Sequence, residues 1–250
     1  MNMQTVIKEI RDHLAILKLN SGPTNPISSK LVDDLSEALQ ALKGNARGMA
    51  LCGGDEFFSV GFDLPELLQL DRPAMGNFLE RFNQLCLRLF TLPIPTVCAL
   101  SGHAVAGGNI LALTCDYRYA ASEEKKIGLN ELKLGLPVPY LADLILRHTI
   151  GDRFASQMIY SGEFISFSDA KIIGLIDVVG PPDEIEDFTL ERLSQVASYQ
   201  SQAFSAVKDN KVEDIKGRFK NNCQAKNELF LDCWFSTPVQ ENLREASMKF

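Results

Sequence analysis

A run of apolar, largely β-branched residues, Thr96-Val97-Cys98-Ala99-Leu100, passes through Ser101-Gly102-His103-Ala104-Val105-Ala106-Gly107-Gly108-Asn109 into the helix-forming stretch Ile110-Leu111-Ala112-Leu113. The pattern is that of a buried strand handing over to a helix through paired glycines. Adjacent glycines at such a junction admit torsions and a closeness of approach that a Cβ would obstruct. They also leave free amide N–H groups at a helix start, where the macrodipole favours negative charge. This is equipment for holding an oxyanion.

The rest of the chain repeats strand-and-helix units around this junction. Residues 4–20 read as two short strands turning at Arg11-Asp12, the second ending in His13-Leu14-Ala15-Ile16-Leu17-Lys18-Leu19. After the loop Gly22-Pro23-Thr24-Asn25-Pro26, Ser28 or Ser29 can cap a helix with Leu31, Leu35, Leu39 and Leu42 on one face. Gly48–Cys52 is a further buried strand, followed by a glycine turn at Phe58-Ser59-Val60-Gly61. Met75, Phe78, Phe82, Leu85 and Leu89 share one side of a helix that stops before Pro93. Strands are expected at 96–101, 116–121 and 176–179, and helices at 138–149, 152–161 and 168–173. Beyond Gly180-Pro181-Pro182 the strand signal fades, and helices are expected through 183–208 and 213–248. The division is therefore an α/β core over 1–182, containing the active site, and a C-terminal helical region over 183–250. That tail covers its own core or a neighbouring subunit.

Composition narrows the function. The 250 residues suffice for a substantial core. A net charge of −7 argues against nucleic acid, which requires a basic footprint. No apolar run approaches the roughly 20 residues that cross a bilayer. Six cysteines without a C-x-x-C pair read as reduced core residues of a cytoplasmic protein. The opening Met1–Ile7 leads almost directly into alternating sequence, so no leader peptide is expected. His13, His103 and His148 form no pair at metal-ligand spacing, and no metal site is expected. Neither a G-x-S-x-G nucleophile elbow nor a P-loop is present.

Two glycine turns, a strand-and-helix core and a helical tail together resemble the crotonase superfamily, the enoyl-CoA hydratase/isomerase family. The resemblance spans nearly the whole chain. It rests on Phe58-Ser59-Val60-Gly61-Phe62-Asp63-Leu64, on Gly102 through Cys115-Asp116, on Ile127-Gly128-Leu129-Asn130-Glu131-Leu132-Lys133-Leu134-Gly135, and on Leu175-Ile176-Asp177-Val178-Val179. It implies a crotonase-like spiral of ββα units with a C-terminal helical segment. It also implies an acyl-CoA thioester as substrate, no cofactor beyond the CoA carried by that substrate, and a homotrimer or dimer of trimers. Phe219, Leu229, Phe230, Trp234 and Phe235 offer apolar surface for such an assembly.

By that resemblance the amides of Ser59 and Gly107 form an oxyanion hole for an enolate. Asn25, Val60, Gly61, Phe62, Asp63, Gly108, Ile110 and Asn130 are implied to contact substrate. Hydratases of the family use two glutamates. One aligns with Glu131, whereas the other falls on Ile110, which can neither hold nor activate a water. One carboxylate suffices to move a proton between two carbons of an allylic system. The neighbourhoods Ala106-Gly107-Gly108 and Gly128-Leu129-Asn130-Glu131 are similar to the Δ3-Δ2-enoyl-CoA isomerases. Migration of a double bond from position 3 to position 2 is thus the expected reaction, with Glu131, Ser59 and Gly107 as the catalytic groups. Hydration of a 2-enoyl-CoA, thioester hydrolysis, decarboxylation, or acyl-CoA binding without turnover are the alternatives.

Overall fold

The computed structural model describes residues 4–42, 44–122 and 124–248. Met1–Met3, part of the segment read for a leader, lie outside them. The chain opens with a hairpin, β1 (Val6–Arg11) and β2 (Leu14–Leu19), whose turn falls on Asp12 and His13, both at positive φ, rather than on Arg11-Asp12. Helix α1 (Ser29–Gln40) is capped by Ser28, whose hydroxyl accepts from the Leu31 amide, and it buries the predicted leucine face. Next come β3 (Gly48–Cys52), β4 (Phe57–Ser59), the one-turn α2 (Leu64–Leu67) and the long α3 (Arg72–Phe90). The pattern strand, strand, helix then repeats as β5 (Thr96–Leu100), β6 (His103–Val105) and α4 (Gly107–Leu113). It repeats again as β7 (Tyr117–Ala120), β8 (Lys126–Gly128), a 3₁₀ turn at Glu131–Leu134 and α5 (Tyr140–Ser161), which breaks at Gly151. β9 (Ile165–Ser166), α6 (Phe167–Ile172) and β10 (Val178–Val179) complete the core, followed by α7 (Ile185–Ala197), α8 (Ser201–Trp234) and α9 (Thr237–Ser247).

Each repeat sends its first strand to one sheet and its second to another. The larger sheet has the order β1-β2-β3-β5-β7-β10, parallel except for the β1–β2 hairpin. The smaller has the order β4-β6-β8-β9, with β9 antiparallel. This is the spiral of ββα units that the resemblance implies. The central strands β3 and β5 are buried along their whole length because both faces are covered, whereas the edge strand β1 is largely exposed. Along β2, β3 and β5, successive side chains alternate between two cores. Ala15, Leu17, Met49, Leu51, Cys98 and Leu100 join the main one, while Leu14, Ile16, Ala50, Cys52, Val97 and Ala99 face α7.

The tail divides differently from its sequence pattern. Residues 209–212 lie inside α8, and the interruptions fall at 198–200 and 235–236, where Gln200 and Ser236 start new helices. The polar run 209–211 is exposed helix surface, while Val212 is buried. Helix α8 packs on α3 and α5 of its own chain, burying Phe219, Phe230 and Trp234, the last two stacked at 6.0 Å. Those residues therefore cover the chain's own core, whereas Leu229 stays exposed and Phe235 half-buried.

An ion pair ties α8 to the sheet. Lys208, only 4% exposed, donates to the Asp116 carboxylate at 2.7 Å and to the Ile94 carbonyl at 3.1 Å. Asp116 also accepts from the Thr96 amide and hydroxyl. Removing Lys208 leaves Asp116 with only the longer contact to the half-exposed Lys211, at 3.4 Å, as its ionic partner. Lys208→Ala is expected to lose about 3 kcal/mol in urea unfolding, with Lys208→Met losing less because its stem still fills the site.

Candidate active site

The two glycine turns meet. A Cβ on Gly61 would stand 3.0 Å from the Gly107 amide nitrogen, and one on Gly108 would stand 2.3 Å from the Ser59 carbonyl oxygen. Only bare backbone fits there. Ala106 precedes α4 with φ 49° and ψ −121°, a strained conformation for a residue with a side chain. Its carbonyl accepts the first helical bond, from the Ile110 amide. The Gly107 N–H, in the first turn of α4, lies ahead of that ladder and lines a cavity of about 180 Å³.

Phe62, from the other glycine turn, also lines this cavity. Ile27 bridges the Phe62 segment: its N–H donates to the Gly61 carbonyl at 2.8 Å, and its own carbonyl accepts from the Asp63 N–H at 3.1 Å. In extended backbone successive N–H groups alternate sides, so the Phe62 N–H points away from Ile27. Its ring is held edge-on by Phe78 and Phe82 at centroid distances of 5.2 and 4.9 Å.

Ser59 is corrected by this arrangement. It sits in β4, wholly buried and outside the cavity wall, with its hydroxyl donating to the Asn25 carbonyl at 2.7 Å and accepting from the Gly61 amide at 3.2 Å. Asn25 is likewise a staple. Held at positive φ, it takes the Ser21 amide on Oδ1 and gives Nδ2 to the Phe57 carbonyl, while its neighbours Thr24 and Pro26 line the cavity.

Among the other expected contacts, Val60, Phe62, Asp63 and Asn130 do line the cavity. Asp63 also caps α2 by accepting from the Glu66 amide. Gly61, Gly108 and Ile110 stand behind the wall. Ile110 is 3% exposed and packs into the main core behind the wall.

Glu131 opens the 3₁₀ turn on another wall of the cavity. The residue is 7% exposed, and its buried Oε2 has no hydrogen-bond partner. Burial disfavours the charged form and pushes its pKa up to about 7. The cover includes residues the sequence pattern did not mark: Leu136 and Pro139 from the following loop, Phe230 and Trp234 from α8, and Leu243 from α9. The large aromatic residues of the tail were the available signal, and they turn inward onto this chain's own site. Among the described residues no three His, Cys, Asp or Glu side chains gather as metal ligands, and no helix is long and apolar enough to cross a membrane.

Residues 9–248 match the family model described as enoyl-CoA hydratase/isomerase. The chain belongs to this family. It is 30% identical over 237 residues to "Probable enoyl-CoA hydratase" of Bacillus subtilis (strain 168), covering 91% of each chain. It is 27% identical over 235 residues to human "Enoyl-CoA delta isomerase 1, mitochondrial", covering 92% of this chain and 78% of that one. The crystal structure of human mitochondrial delta3-delta2-enoyl-CoA isomerase superposes with a TM-score of 0.94 at 26% identity, covering 98% of both chains.

A carboxyl whose folded pKa lies above its unfolded one binds its proton more tightly in the native state. Stability from this group is therefore full below the unfolded value of 4.5 and is lost as pH rises toward and through about 7. Glu131→Gln, which cannot ionise, is expected to match wild type near pH 4 and to exceed it by up to about 3 kcal/mol at pH 8 in chemical denaturation.

Proposed function

We propose that this protein is an isomerase that moves the double bond of an enoyl-CoA from position 3 to position 2. The observation that carries the reading is a buried carboxyl, one oxygen of which has no hydrogen-bond partner, in a mostly apolar cavity that Phe62 and Gly107 also line. In the proposed reaction the thioester oxygen accepts from the Phe62 and Gly107 amides. Glu131 removes a proton from C2. The electron pair delocalises over C2, the C3–C4 double bond and the thioester carbonyl, giving a dienolate. The same carboxyl then returns the proton at C4, leaving the double bond between C2 and C3. Protons and electrons balance, so the chemistry calls for no redox cofactor or metal.

Asp63, the other carboxylate on the wall, is committed to capping α2, and Ile110 offers no acceptor for a water. This supports proton shuttling over hydration. Burial serves the reaction twice, because it raises the basicity of Glu131 and strengthens amide–oxyanion attraction. The substrate-binding surface is proposed to run along Thr24, Pro26 and the Val60–Asp63 segment, with Asn25 shaping it from behind.

With purified protein and a 3-enoyl-CoA, the expected product is the 2-enoyl-CoA, whereas a 2-enoyl-CoA is expected to yield little 3-hydroxyacyl-CoA. Glu131→Gln is expected to lower kcat about 10³-fold. Wild-type kcat/KM should rise with pH through about 7, as Glu131 becomes ionised, and the glutamine variant should lose that limb. Predominant hydration, or wild-type turnover by the variant, sinks the assignment.

The chain is further proposed to act as a homotrimer or dimer of trimers in the cytoplasm. Leu132, Phe154, Tyr160, Ile172 and Leu229 remain substantially exposed in the single chain, which supports an assembly. Light scattering at micromolar concentration is expected to give a multiple of three chains, and a monomeric mass contradicts it.

A further inference from the structure

Both β6 and β8 run directly into the wall of the catalytic cavity, β6 through Ala106 to Gly107 and β8 through Asn130 to Glu131. The ladder between them is short. Ala104 pairs with Ile127 and Val105 with Gly128, and the Ala106 amide donates to the Gly128 carbonyl at 2.9 Å. At its far end a side chain continues the ladder, since the Lys126 amide donates to Nδ1 of His103 at 2.9 Å. An imidazole nitrogen accepts only while it carries no proton, so this bond requires the neutral ring with its proton on Nε2. Charged groups face that ring from two elements. Glu56, from the connection between β3 and β4, brings Oε1 to 3.8 Å from Nε2 and holds the Lys125 ammonium with Oε2 at 2.8 Å. Lys125 precedes β8 and Lys126 opens it. The Phe57 ring packs on the imidazole at a centroid distance of 5.3 Å. Partial burial, then Lys125, hold the imidazole below its ordinary pKa against the pull of Glu56, and Lys126 adds to the lowering.

We propose that His103 is an acid-sensitive clasp on the catalytic cavity. Neutral, the ring ties the first residue of β8 to β6 and keeps the Glu131 turn in register with the Gly107 segment. Protonated, it can no longer accept, and its new charge stands beside Lys125 and Lys126. The Lys126 amide is then released, and the strand leading to Glu131 loosens. A histidine whose folded pKa is depressed stabilises the fold above its unfolded value of 6.5, and that contribution is lost as pH falls. Acid therefore acts on the site twice, protonating Glu131 and slackening the strand that carries it. The clasp is independent of the reaction, whereas its effect on turnover rests on the proposed role of Glu131.

Amide hydrogen–deuterium exchange over residues 125–131, corrected for intrinsic rates, tests the clasp at pH 8 and pH 5. His103→Asn places an oxygen where Nδ1 stands and takes no proton, whereas His103→Phe removes the acceptor at every pH. Between pH 8 and pH 5 wild type is expected to lose about tenfold more protection than His103→Asn, the worth of one hydrogen bond. Glu131 titrates in both proteins and drops out of that difference. His103→Phe should show at pH 8 the low protection that wild type shows at pH 5. In turnover, log kcat/KM of wild type should fall with pH on the acid side with a slope approaching two, and that of His103→Asn with a slope of one. Equal pH responses of exchange in wild type and His103→Asn overturn the clasp, a comparison that does not depend on His103→Phe folding. If exchange responds as expected but no 3-enoyl-CoA is isomerised, the reaction assignment fails and the clasp stands. Normal isomerisation with equal exchange responses sinks the clasp alone.

Discussion

The molecule turns on a contact made without side chains. Where α4 begins, Gly108 lies so close to the Ser59 carbonyl that an added Cβ would overlap it, and Gly61 presses on the Gly107 amide in the same way. Gly102 extends the interlock, since its Cβ would fall 2.5 Å from the Glu56–Phe57 peptide. Three consequences follow from this closeness. The short strands β4 and β6 can pair, α4 can be buried along its whole length, and amides from two remote segments come to face one cavity. The strain at Ala106 belongs to the same contact. A residue at φ 49° costs of order 1–3 kcal/mol, and it persists because the chain on both sides is locked by packing.

Much of this was legible because burial on both faces leaves a plain signature. Uninterrupted apolar runs at 48–52 and 96–100 announce strands with a core on either side, and the leucine and phenylalanine spacings of α1 and α3 announce their inward faces. The smaller sheet left no such trace. Strands of two or three residues, such as His103–Val105 and Lys126–Gly128, are too short for a period to show and are bounded by glycines that read as turns. Long-range pairing makes them, with partners from other repeats of the spiral.

The same distinction separates Glu131 and Gly107 from Ser59. A glycine at a helix start is a local chemical fact, and Glu131 is marked by the resemblance of the motif around it. Which N–H of a turn is free depends on which neighbour claims the others. Ile27, more than thirty residues earlier, takes both flanking positions and leaves Phe62 to face the cavity. Ser59 is expected to offer its amide, yet it is wholly buried in β4, where its hydroxyl holds Asn25 and Gly61. Asn25, with the polarity of a ligand contact, is consumed by the Ser21 and Phe57 backbone for the same reason. Sequence patterns report residue types, whereas hydrogen-bond commitments are settled in three dimensions.

The tail links stability to chemistry. Phe230 and Trp234 belong to the main core and to the cavity cover at once, so the packing that fixes α8 on α3 and α5 also excludes solvent from Glu131. A buried carboxyl with one oxygen unpartnered is unfavourable to the fold, and the apolar surface buried beside it offsets that cost. Opening the site to water would lower the pKa of Glu131 and weaken every amide–oxygen attraction within it. Helix α9 completes the same enclosure. Val239 touches Gly135 just past the Glu131 turn, the Asn242 amide donates to the Leu134 carbonyl, and Leu243 reaches the cavity wall. The Glu131 turn, the Phe62 and Gly107 segments and a cover from the tail converge because β4, β6 and β8 pair in the same small sheet. On the proposed reaction, the functional unit is therefore the whole chain rather than the glycine turns alone.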